Sequence, residues 1–64
     1  MVKFRFQTEK QGTVLVDCVI LAVVREYGFV EYYIRYNNPI DNNPIQQWVQ
    51  LQQLSFMEAE SPPF

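Results

Sequence analysis

The stretch from Thr13 to Arg25 constrains this chain most, because ten of its thirteen residues are apolar and must find cover in a molecule of only 64. Seven of the thirteen, Thr13, Val14, Val16, Val19, Ile20, Val23 and Val24, are β-branched. Such side chains fit a pleated surface better than a helix. The run is also long enough for a helix, which is the competing assignment. We read it as one long strand, and its lack of alternation as burial on both faces where the strand bends around a small barrel.

The flanking segments carry the alternation that this run lacks. Val2 to Gln7 alternates with a period of two, which puts Val2, Phe4 and Phe6 on one face of a first strand. Thr8 to Gly12 is polar and ends in glycine, a turn. Glu26-Tyr27-Gly28 is a short connection with a glycine free to take positive φ, so the long strand and the segment from Phe29 to Tyr36 form a hairpin. In that aromatic strand the uncharged set Val30, Tyr32, Ile34 and Tyr36 is the expected core face. Phe29, Glu31, Tyr33 and Arg35 then face outward.

Asn37 to Pro44 reads as a loop, since Asn and Asp bond their own backbone and the two prolines fix φ. Ile45 to Gln50 alternates again, with Ile45, Gln47 and Val49 opposite Gln46, Trp48 and Gln50. Leucines three apart at Leu51 and Leu54 suit one turn of 3-10 helix. Ser55 to Glu58 is expected to be a short closing strand. Residues 1–58 thus form a single small domain, and residues 59–64 a flexible tail.

Most catalytic chemistry lacks its residue types here. The chain has no histidine, which removes Ser-His-Asp and Cys-His catalysis along with the commonest transition-metal ligand. A single cysteine, Cys18, excludes paired-cysteine zinc sites and an intramolecular disulfide, and its apolar neighbours make it a core thiol. Gly12 and Gly28 are too far apart to build a phosphate loop. Glu26 and Glu31 across the hairpin are read as solvated charges, and Asn37 to Asn43 as turn chemistry rather than a calcium loop. No catalytic residue, metal ligand or cofactor is therefore assigned.

Five bases against seven acids argue against a non-specific nucleic-acid binder, which needs clustered Lys and Arg. No apolar run is long enough for a membrane span, and the lone thiol favours a reducing compartment, so the expected setting is soluble and cytoplasmic.

Five short strands with a central hairpin, a polar loop before the fourth strand and a one-turn helix before the fifth resemble the layout of SH3-like barrels. Tyr33-Ile34-Arg35-Tyr36 followed by Trp48-Val49-Gln50-Leu51-Gln52-Gln53-Leu54 looks like the Tudor-like small-barrel pattern. A similar ending occurs in small SH3-like subunits of photosynthetic NAD(P)H dehydrogenase complexes. The resemblance implies an all-β, five-stranded SH3-like barrel with a one-turn 3-10 helix before the last strand. Methyl-ligand readers of the Tudor type draw part of an aromatic cage from the first barrel loop. Gln7 to Asp17 contains no aromatic residue, so no cage is carried over.

Aromatic residues make up 16% of the chain and apolar residues 48%, more than so small a molecule can easily hide. The excess points to a non-catalytic module that binds another protein, an accessory subunit or modulator. The expected contact residues are Trp48, Tyr27, Phe29, Tyr33, Gln46 and Gln50. A self-assembling homo-oligomer is the alternative, and a nucleic-acid-binding barrel a more distant one.

Overall fold

The computed structural model describes residues 2–56. Strands β1 (Lys3–Thr8), β2 (Gly12–Glu26), β3 (Phe29–Asn37) and β4 (Pro44–Gln50) are followed by one 3-10 turn (Leu51–Gln53) and the short β5 (Leu54–Ser55). All pairings are antiparallel, in the order β4-β3-β2-β1-β5. This is the small all-β, five-stranded architecture expected, with its single turn of 3-10 helix before the last strand. Among the described residues no helix is long and apolar enough to cross a membrane.

The long β2 makes the architecture possible because it serves two partners in succession. Its residues 12–17 pair with β1, and residues 18–26 pair with β3. At the junction the Cys18 N–H donates to the Val2 carbonyl over 3.3 Å. The helix reading of this segment is thereby overturned.

The inward side chains follow the alternation. Phe4, Cys18, Tyr32, Ile34, Tyr36, Val49 and Leu54 form the buried core, with Val2, Phe6, Val16, Ile20, Val23, Val30, Ile45 and Phe56 packed around it. Tyr32, Ile34 and Val49 are the largest side chains wholly withdrawn from solvent. The Phe4 ring lies 4.7 Å from that of Tyr36, and Phe6 meets both edge-on. The Tyr36 hydroxyl, at the rim of this cluster, donates to Gln47 Oε1 over 3.0 Å.

Two expectations need correction. The run in β2 is buried on one face only: Leu15, Val19, Leu21, Ala22 and Val24 are exposed. The absent alternation has another cause, a bulge between Ile20 and Ala22. There Leu21 and Ala22 together oppose the single residue Tyr33, so inward positions are even-numbered up to Ile20 and shift to Val23 beyond it. The closing strand also starts earlier than expected. Leu54 and Ser55 pair with Phe4 and Lys3, while Phe56 is outside the strand. Met57, Glu58 and the tail lie outside the described residues.

Candidate protein-interaction face

Pairing registers place the outward side chains of β2, β3 and β4 in three rows across one sheet. The first holds Val19, Arg35 and Gln46; the second Leu21 with Ala22, then Tyr33 and Trp48; the third Val24, Glu31 and Gln50. Every member is exposed except Tyr33, which is half-buried. Trp48 retains 47% of its surface, Leu21 49% and Val19 54%. Apolar groups of this size left in water mark a contact surface when they are contiguous, as they are here.

The centre of the face is preorganised. Tyr33 and Trp48 are direct cross-strand neighbours with ring centroids 4.9 Å apart at 42°. The Tyr33 hydroxyl donates to Gln46 Oε1 over 3.2 Å, tying the ring pair to the row beside it. Cross-strand aromatic pairs of this kind hold their rings with little rotamer freedom left to lose on binding.

Of the six residues expected from the sequence, three, Tyr33, Gln46 and Trp48, form this linked group. Phe29 shares the outward face one row beyond, opposite Glu26, and is 65% exposed. Gln50 stands in the third row, but its side chain also caps the 3-10 turn. It accepts from the Gln52 amide and the Gln53 backbone, while the Gln50 N–H donates to Gln53 Oε1 over 2.9 Å. Tyr27 lies at the hairpin tip, 93% exposed, with φ at 50° beside Gly28 at 81°. Both central residues of that turn have positive φ, the geometry a two-residue hairpin favours.

Val19, Leu21, Ala22 and Val24 were missed as contact residues because their apolar character was assigned to burial. A bulge in β2 places apolar residues of both parities on the outside in turn. The same uninterrupted run that reads as two buried faces also fits this arrangement.

Other candidate chemistry is accounted for locally. Asn38 Oδ1 accepts from the Ile40 N–H over 2.8 Å and Asp41 Oδ1 from the Asn43 N–H over 3.0 Å, so this loop spends its side-chain oxygens on turns. Glu26 and Glu31 are both exposed. Cys18 is buried, and burial, with a smaller effect from Asp17, pushes its thiol pKa up. A cleft of about 570 Å³ between the β1–β2 turn and the β3–β4 loop is lined by Phe6, Lys10 and Ile40 among others. Among the described residues Phe6 is the one ring lining it, and a cage for a methylated cation needs more.

No protein-family model, no curated protein and no solved structure matches this chain.

Proposed function

We propose that this chain is a non-catalytic protein–protein interaction module, an accessory subunit or modulator within a larger assembly. The observation that carries the reading is the outer face of β2, β3 and β4, where Val19, Leu21 and Val24 stand exposed beside the Tyr33–Trp48 ring pair. Aromatic anchors surrounded by aliphatic and neutral hydrogen-bonding groups are the composition of binding hot spots. Tyr27 supports the reading from the hairpin tip. A fully exposed ring at positive φ contributes little to folding where Asn or Gly would be less strained.

A nucleic-acid role has weaker support, because the face carries one cation, Arg35, beside one anion, Glu31. The strand order and the 3-10 turn support assignment to the SH3-like superfamily. The lone buried thiol fits a cytoplasmic setting.

The test is affinity capture from host lysate with wild type and Trp48→Ala side by side. A protein retained by wild type and released by at least tenfold weakening in Trp48→Ala is the expected result, equivalent to about 1.4 kcal/mol or more. Unchanged capture by Trp48→Ala would remove the face from the reading.

A further inference from the structure

The three rows of this face are self-complementary. Consider a two-fold axis lying in the plane of contact, crossing the strands and passing over the Tyr33 row. It leaves that row facing its own copy and brings the first row of one chain onto the third row of the other. Val19 then meets Val24, Arg35 meets Glu31 and Gln46 meets Gln50, each twice by symmetry. Aliphatic faces aliphatic, cation faces anion and amide faces amide. Trp48, Tyr33, Leu21 and Ala22 fill the centre.

We propose that this face binds a second copy of the same chain, through a two-fold contact centred on Tyr33 and Trp48. The inference rests on reading the face as an interaction surface and names its occupant. Charge complementarity decides in favour of a copy, because an isologous contact requires one patch to match itself. Arg35 and Glu31 flank Tyr33 by two residues on either side of the same strand, so reversing the strand exchanges their positions. The face carries no net charge of its own, and two copies do not repel across it.

The match ends one row further out. There Asp17 and Asn37 would oppose Glu26 and Phe29 of the copy, and Asp17 is already held by Lys3 Nζ at 2.8 Å. Three rows on three strands cover roughly 15 by 18 Å, about 270 Å² of projected face per copy and about 540 Å² for the pair, below the standard size of specific interfaces. The dimer should therefore be weak and reversible, with Kd on the order of 10–100 µM.

Charge exchange tests the geometry directly. Glu31→Arg places two cations at positions that face each other across the axis, and Arg35→Glu places two anions there. In sedimentation velocity up to about 1 mM, wild type is expected to dimerise and each single variant to weaken by at least tenfold. An equimolar mixture of the two variants should form a heterodimer, and Glu31→Arg/Arg35→Glu together should restore the homodimer. Rescue in the mixture also establishes that both variants fold. Single variants that dimerise like wild type, or that stay apart when mixed, overturn the two-fold contact. A wild type that remains monomeric throughout overturns the second copy as occupant. If that monomer still captures another protein through Trp48, the interaction-module reading survives.

Discussion

Cys18 is the residue whose environment sets a measurable chemical property. Its Sγ lies 3.8 Å from the Val2 carbonyl inside the core cluster, and burial disfavours the thiolate. The folded pKa is raised, so the unfolded chain loses the proton first as pH rises. The associated stability is fully present below the unfolded value, about pH 8.5, and is lost as pH climbs through the folded one. Burial raises the Tyr32 and Tyr36 phenols in the same sense, starting from about pH 10. With no histidine to titrate, the urea midpoint should be flat from about pH 6 to 8 and fall above about pH 8.5. Cys18→Ala should delay the fall to the tyrosine range, at the cost of a small cavity. A wild-type midpoint unchanged at about pH 9.5 would contradict the buried thiol. Native-state alkylation of Cys18 should likewise be slow until the protein is unfolded.

The β2–β3 hairpin is the element whose two ends answer to different demands. Its turn places Tyr27 at φ 50° and Gly28 at φ 81°. A side chain at Gly28 would meet no atom within 4 Å, so Gly28→Ala isolates the backbone cost, about 1 kcal/mol of destabilisation. Tyr27→Asn should move stability the other way by about 0.5–1 kcal/mol, since Asn-Gly suits this turn. Paired urea titrations check both signs. A Tyr27→Asn protein less stable than wild type would mean that the exposed ring supports the fold after all.

The same hairpin shows what could be read from residue order. In β3 and β4 inward and outward positions alternate with no bulge to shift them, and the charges of β3 all fall on one face. The core face Val30, Tyr32, Ile34 and Tyr36 and the outward set around Tyr33 and Trp48 were therefore legible directly. In β2 one extra residue shifts the phase, and apolar residues occupy both phases. Period counting has no purchase there, and the aliphatic half of the face was hidden with it. The start of β5 was misplaced for a related reason: a two-residue strand has no period to detect.

At the scale of the whole molecule, the exposed apolar face and the small core are one problem. A chain of this size buries only about 60% of the surface it exposes when unfolded, so its stability is limited. Residues that would serve as core in a larger domain stand outside, on β2 and beside Trp48. Covering them with a second copy relieves both conditions, and mass action makes the relief measurable. If only the native chain dimerises, stability depends on concentration once the protein exceeds Kd. Each tenfold increase there adds about 0.7 kcal/mol per chain, half of the tenfold free-energy step for the dimer. In a domain this small that raises Tm by roughly 3–6 °C. Calorimetry across two decades of concentration above about 100 µM should show this rise in wild type and in the Glu31→Arg/Arg35→Glu protein. Glu31→Arg alone should begin this rise only at about tenfold higher concentration or beyond, because its exposed substitution leaves the core intact while weakening the linkage. A Tm independent of concentration in wild type would mean that the folded monomer stands on its buried core and the layer around it, with the face left open for a different protein.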